Sequence, residues 1–405
     1  MRILQITSYS IPDNKNHVAN GIASFVTQLG EYFIRNHQDT LFLGYYDTIY
    51  GSETASIYSD KIVLSIPFDA NEFLAFIKKN QIDVIQCNLS RPKQFTQIPF
   101  IAQVAHQEGI KMVFCLHTIP GGVATPYGSF EESWYYFAHH KPFLNRYKRC
   151  IIYKGQPLTG RYCLRSVRKD YNIIYQSCDN IVLFSEPYID KYCQIAHLGN
   201  RKKFSIIHNP LTYSEFLSKE KVHNKRKEVL MVGRMQESQK RVSKALKIWK
   251  MIEQNPMLED WSIRFIGDGD EFEFHQWLAK HYKLKRVLFN GQGDPMPYYQ
   301  QDAILISTSC VEGWPMSLME AMPMGCCCFS FDSYDAVHDI IEDGYNGKII
   351  PNDDLEAYVN CLTELMLDDS KRVVMGVNAI ESSYRFIMDK IGEKWHELFV
   401  KMMEE

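Results

Sequence analysis

The sequence predicts an α/β protein built from two Rossmann-like, doubly wound domains. Three observations carry this reading. Short apolar runs alternate with longer amphipathic stretches almost throughout the chain. Many of the runs are continuously apolar or β-branched, as in Ile181-Val182-Leu183-Phe184, the pattern of strands buried on both faces of a parallel sheet. The length, 405 residues, is too great for one ordinary core and fits two. Two such halves facing each other across a cleft are the expected architecture, with ligands bound beyond the carboxyl ends of the strands.

In chain order, the first half is expected to hold strands at 2–7, 40–46, 61–65, 83–87, 111–116, 180–184 and 204–207. Ile22, Phe25, Val26, Leu29 and Phe33 recur at i, i+3, i+4 spacing and mark a helix with one buried side. A domain boundary falls within 208–227, where His208-Asn209-Pro210 breaks the pattern and a polar basic stretch runs to Lys227. Val229-Leu230-Met231-Val232 then restarts the rhythm, with strands expected at 228–232, 262–266, 286–290, 303–307, 326–331 and 347–350. A last helix over about 383–403 carries Ile387, Ile391, Trp395, Leu398 and Met402 on one face. The expected division is therefore 1–208 and 209–382, with residues 383–405 packing back on the first domain.

Hydrophobic residues make up 45% and charged residues 23%, which argues against disorder. A net charge of −3 marks the whole molecule as no nucleic-acid binder. No apolar run approaches the ~18 residues of a membrane span, and residues 1–7 are too short and polar for a signal peptide. Eleven cysteines without regular spacing, and without a CxxC pair, suggest a reducing, cytoplasmic setting and no structural zinc. The charge is uneven. Residues 1–210 carry 22 Lys+Arg against 16 Asp+Glu, and the remainder 23 against 32. Two halves with different electrostatic tasks are implied.

The segment Glu312-Gly313-Trp314-Pro315-Met316-Ser317-Leu318-Met319-Glu320 follows the expected strand at 303–307 and so sits where a ligand belongs. Pro315 suits the first turn of a helix, Gly313 permits close backbone approach, and the free amides at the helix start favour an anion. Glu312 before the helix and Glu320 about a turn inside it suit the hydroxyls of a polar ligand. Gly233-Arg234 leaves the strand at 228–232, and Lys240 is expected to open the next helix. Two cations there suit a diphosphate, whose charge grows as its bond breaks. The plainer reading makes Lys240-Arg241 a solvated helix start.

Gly233-Arg234 with Lys240, followed by Glu312 and Glu320, resembles the GT-B retaining glycosyltransferases of family 4, the glycosyl transferases group 1. Gly267-Asp268-Gly269, Ile207-His208-Asn209-Pro210, Glu320-Ala321-Met322 with Gly325, and Glu342-Asp343-Gly344-Tyr345-Asn346-Gly347 extend the match in the same order. The resemblance implies that Arg234 and Lys240 hold the diphosphate of a nucleotide-sugar donor such as a UDP- or GDP-sugar. Glu320 would bind the ribose hydroxyls and Glu312 the sugar hydroxyls. The backbone from Trp314 through Pro315 and Met316 to Ser317, approached closely at Gly313, would contact sugar or phosphate, and Asn290-Gly291 would lie near the base. Gly21 stands for the family's phosphate loop, with Asn20 in place of a second glycine. His117, in Leu116-His117-Thr118 at a strand's carboxyl end, matches the histidine that points at the donor sugar. Asp268-Gly269-Asp270 mimics a metal-binding DxD, but the resemblance makes it a turn and implies no metal or other cofactor.

From Ser133 to Lys169 the chain has nine basic residues and no acidic one, interleaved with Trp134, Tyr135, Tyr136, Phe137, Phe143, Tyr147 and Tyr153. Leu164, Val167, Tyr171, Ile174 and Cys178 form one helical stripe, beside Arg161, Arg165 and Arg168. Either this is a solvated basic surface, or 141–169 meets an anionic membrane or a polyprenyl-diphosphate acceptor. No nucleic-acid motif accompanies the charge. The expected activity is glycosyl transfer to a saccharide or lipid-linked acceptor in surface polysaccharide or glycoconjugate synthesis, in the cytoplasm or peripherally on the inner face of the cell membrane. Rival readings are a non-catalytic nucleotide-sugar binder and a related phosphorylase or epimerase.

Overall fold

The computed structural model describes residues 1–11, 21–47, 56–121 and 164–405. Its chain divides into two compact units. The first comprises Met1–Gly121, Leu164–Thr212 and Phe386–Glu405; the second includes Tyr213–Arg385. Most of the basic aromatic segment, including Arg161 and the named aromatics, lies outside the described residues, whereas Arg165 and Arg168 are exposed on a helix at 164–177.

The first unit contains β1 (Arg2–Tyr9), β2 (Thr40–Asp47), β3 (Asp60–Val63), β4 (Val84–Asn88), β5 (Lys111–Cys115), β6 (Asn180–Leu183) and β7 (Phe204–Ile206). They form one parallel sheet in the order β3-β2-β1-β4-β5-β6-β7. Residues Ile3, Leu4, Val84, Ile85, Val113 and Phe114 are wholly buried, because helices cover both faces. Helix α1 (Gly21–His37) buries Phe25, Val26, Leu29 and Phe33, the stripe expected from its spacing.

The second unit contains β8 (Arg226–Val232), β9 (Ser262–Ile266), β10 (Val287–Phe289), β11 (Asp302–Ser307), β12 (Cys327–Asp332) and β13 (Gly347–Pro351). This sheet is also parallel, ordered β10-β9-β8-β11-β12-β13. Each of the thirteen strands expected from the sequence is present. In both sheets the strand order reverses beside the first strand, between β1 and β4 and between β8 and β11. A crevice opens at such a reversal because the two neighbouring connections leave toward opposite faces.

The chain's end differs in detail from the expectation. The helix Asp369–Ser383 stops, a turn at Tyr384–Phe386 intervenes, and the C-terminal helix spans Met388–Glu404. Phe399, not Leu398, completes its buried face with Ile391, Trp395 and Met402. Phe399 packs on Phe33 at 5.6 Å and Trp395 on Phe25 at 6.0 Å, so aromatic partners on α1 select which side turns inward. Gly392 lets the two helices touch, since a Cβ there would come within 2.4 Å of the Tyr32 ring. Among the described residues, no helix is long and apolar enough to cross a membrane.

Candidate functional site

The loops that follow β8 and β11 meet at the reversal point of the second sheet, and they carry most of the motif residues. After β8 the chain passes Gly233 and the exposed Arg234, forms a short helix α2 (Glu237–Lys240), and begins α3 (Val242–Ile252). Lys240 therefore ends a helix and does not open one. The break is Arg241, held in the left-handed region at φ 48°. Its guanidinium donates to the carbonyls of Thr308 (2.7 Å) and Ser309 (2.8 Å) and pairs with Asp353 at 2.5 Å. Thr308 Oγ1 in turn donates to the carbonyls of Lys240 and Arg241. Lys240-Arg241 is thus no solvated helix start; it fastens the β8 loop to the β11 loop.

Across this junction Lys240 Nζ stands 2.6 Å from Glu312 Oε1, with the two side chains only 17% and 9% exposed. Gln239 Nε2 donates to the other carboxylate oxygen at 3.3 Å and to the Val311 carbonyl at 3.2 Å. Gly313, Trp314 and Pro315 turn the chain into helix α4 (Met316–Ala321), which carries Ser317 and Glu320. Trp314 and Pro315 are buried, with Pro315 at the capping position just before the helix and not within it. Glu320 Oε2 accepts from the hydroxyl of the buried Tyr299 at 3.1 Å. Burial and then the Glu320 charge push the Tyr299 hydroxyl well above its ordinary pKa, so it remains a donor.

Glycines let the turns stack. Gly233 (φ 147°) lies under the Lys240 stem, where a Cβ would meet Cε at 3.1 Å. Gly267 (φ 132°) faces the Gly233 carbonyl at a distance no side chain permits, 2.0 Å from an added Cβ. Asp268 Oδ1 accepts from its neighbour's amide, Gly269 N, at 2.8 Å. Asn290 and Gly291 follow β10, the edge strand, two strands from the reversal point. Asn290 bonds Arg264 and Tyr298, and the Gly291 carbonyl accepts from Gly267 N at 2.7 Å, so this pair braces the turns.

Two residues that sequence reasoning did not single out underlie the β8 loop. The buried Glu237 carboxylate accepts from Ser243 N at 2.9 Å, from Ser243 Oγ, and from His275 Nε2 at 3.1 Å. It caps α3 and anchors α2, which carries Gln239 and Lys240. His275 lies 38 positions away, so no local pattern announces the pair.

In the first unit, Gly21 begins α1, where an added Cβ would meet nothing within 4 Å among the described residues; Asn20, the other residue of the expected phosphate loop, lies outside them. His117 directly follows β5 and Leu116, between the rings of Phe25 (5.4 Å) and Phe184 (5.7 Å). Its Nε2 lies 2.9 Å from Asn88 Oδ1, an acceptor, so Nε2 carries the proton and Nδ1 a lone pair. Desolvation lowers its pKa from 6.5 to about 3.

Residues 214–382 match the model of the family described as glycosyl transferases group 1. This stretch is a group 1 glycosyl transferase domain. It contains Arg234, Lys240, Glu312 and Glu320. A lipopolysaccharide 1,6-galactosyltransferase of Salmonella typhimurium is 29% identical over 174 residues, 41% of this chain and 47% of that protein. An N-acetylgalactosaminyltransferase of Campylobacter jejuni, named for a diNAcBac-PP-undecaprenol-linked acceptor, is 24% identical over 201 residues, 50% of this chain and 55% of that one. The matched stretch spans about half the length of these curated relatives. The structure of Anabaena HepE in complex with UDP has a TM-score of 0.69 at 14% identity, covering 99% of this chain and 100% of that one. The apo structure of the lipopolysaccharide outer core galactosyltransferase WaaB has a TM-score of 0.62 at 17% identity, covering 99% and 100%. The fold, two parallel-sheet Rossmann-like domains joined to the group 1 domain's motifs, is that of GT-B glycosyltransferases.

Two outcomes follow from this geometry. Glu237→Ala leaves a buried histidine and a helix amide unpartnered, and it should cost about 3 kcal/mol in urea unfolding; a loss under about 1 kcal/mol would show that the anchor is dispensable. His117 should remain neutral in the native protein. Because its folded pKa lies below the unfolded one, only the unfolded chain takes up its proton as pH falls from 6.5 toward 3, and stability drops by up to ~1.4 kcal/mol per unit in that window. Its ring resonance in NMR should show no titration between pH 8 and about 5; an inflection near 6.5 would contradict the desolvated, neutral ring.

Proposed function

We propose that this protein is a glycosyltransferase that moves a sugar from a nucleotide-diphosphate donor, such as a UDP- or GDP-sugar, to a saccharide or lipid-linked acceptor. The observation that carries the reading is the meeting of Gly233, Arg234, Lys240 and Glu312 at the reversal point between β8 and β11, with Glu320 one helix further on. Arg234 and Lys240 would take the leaving diphosphate as the bond from the sugar's anomeric carbon to the phosphate oxygen breaks. Fixed cations at the place where charge develops lower that barrier without a metal ion. Glu312 would hold Lys240 in place and orient sugar hydroxyls, and Glu320, aligned by Tyr299, would accept from the ribose. The neutral His117, whose Nδ1 is a hydrogen-bond acceptor, suits a donor-sugar hydroxyl.

The new bond joins the acceptor oxygen to the anomeric carbon, and the acceptor's proton leaves with a diphosphate oxygen. Retention of anomeric configuration is part of the proposal, on the family resemblance. Surface polysaccharide or glycoconjugate synthesis fits the acceptors printed in the relatives' names, lipopolysaccharide and an undecaprenol-linked saccharide. A lipid-linked acceptor would bring the basic 141–169 stretch to the anionic inner face of the cell membrane.

The test is a donor screen that follows release of the nucleoside diphosphate from UDP-, GDP- and ADP-sugars. One donor should be turned over by the wild type, and Lys240→Ala and Glu320→Ala should each reduce the rate by at least about 100-fold. Full activity in both variants would remove the site assignment; no turnover of any donor would remove the reading as an enzyme.

A further inference from the structure

Within the first unit, at the end of α1 opposite Gly21, a second cluster of chemically active side chains joins two helices. His37 is the last residue of α1. Glu393 and His396 stand three apart on the C-terminal helix, the spacing that places both on one face. One ligand atom from each of the three lies within 4.8 Å of the others.

Several features single this cluster out. His37 Nε2 is buried and lies 3.3 Å from Glu393 Oε2, in ion-pair contact but without good hydrogen-bond geometry to any described residue. A nitrogen and a carboxylate oxygen about 3.3 Å apart are spaced as two ligands of one tetrahedral cation would be. Asp39, two residues on, pairs through Oδ1 with the Met1 amino group at 2.5 Å, while its buried Oδ2 has no hydrogen-bond partner among the described residues. Asp39 is near enough to act electrostatically on His396. Orphaned buried polar atoms are rare in native proteins and often mark an ion or water. Tyr32 OH donates to Glu393 Oε2 at 2.7 Å, which orients the carboxylate as outer-shell partners do around metals. The close helix contact at Gly392 sets the two ligand-bearing backbones in place before any ion arrives.

We propose that His37, Glu393 and His396 form a site for a divalent transition-metal ion of the zinc type, which fastens the C-terminal helix to α1. Two imidazoles and one carboxylate, with water in the fourth position, are the donor set of a tetrahedral zinc centre; two nitrogen ligands disfavour calcium and magnesium. The site is empty. The two imidazoles stack at 3.5 Å and 9°, so their in-plane lone pairs run side by side. Loading requires one ring to turn about its Cβ–Cγ bond. That torsion is soft, and His396 is only half-buried.

The experiment uses the full chain, stripped with a chelator and titrated with ZnCl2 at pH 7.5 by calorimetry, with melting temperature followed in parallel. The wild type should bind one equivalent that His37→Ala and His396→Ala lose, and Glu393→Gln should weaken that equivalent by at least about tenfold. Zinc should raise the melting temperature of the wild type and leave both histidine variants unmoved. Partly exposed Cys193, Cys310 and Cys361 offer competing thiols. Co2+ distinguishes them, since a His2Glu site gives ligand-field bands without the thiolate charge-transfer band. Equal stoichiometry in wild type and variants, a thiolate spectrum for the bound equivalent, or no saturable binding would overturn the proposal. Circular dichroism of each variant in chelator checks that it is folded before it is compared.

Discussion

The ion pair between Lys240 and Glu312 is the interaction on which the candidate site depends. Both groups are largely removed from water, which costs several kcal/mol per charge unless the partner is close and its remaining hydrogen bonds are met. Here they are met. Gln239 serves the second carboxylate oxygen, and the Lys240 stem lies over a glycine. The pair also ties two loops that leave neighbouring strands, so the cation's position is set by the sheet and not by loop chance. Each charge holds the other in place. An arriving diphosphate would share Lys240 and meet an ammonium already desolvated and aimed.

The surroundings of this pair are arranged to keep it from moving. Gly233, Gly267 and Gly269 allow three turns to pack backbone against backbone, leaving no slack beneath Lys240. Glu237 and His275 hold the short helix from below, and Arg241 binds the neighbouring carbonyls from the side. The first unit has its own chain of contacts, from Trp395 to Phe25 to His117, so the C-terminal helix supports the ring that follows β5.

The strands were legible because each is a short apolar run, and the motif residues were legible because they follow strand ends at fixed spacing. Arg234, Lys240, Glu312 and Glu320 could be picked out on that ground alone. The place of Lys240 in its helix could not be read, because Arg241 adopts a left-handed backbone without being glycine and nothing in its neighbours signals the break. Leu398 and Phe399 both border the buried face of the last helix; only the presence of Phe33 opposite decides between them. Glu237 looks like a solvated helix acid until His275, far along the chain, is folded against it. Tyr299 acquires its task only through Glu320, 21 positions on. Contacts of that separation leave no periodic trace.

The proposed function requires the β8 and β11 turns to receive a nucleoside diphosphate. A crystal structure of the chain with its bound nucleoside diphosphate tests this most directly. Diphosphate oxygens are expected within about 3 Å of Lys240 Nζ and of the Arg234 guanidinium, with Glu312 still beside Lys240. A nucleotide bound away from these turns, with Arg234 and Lys240 untouched, would contradict it.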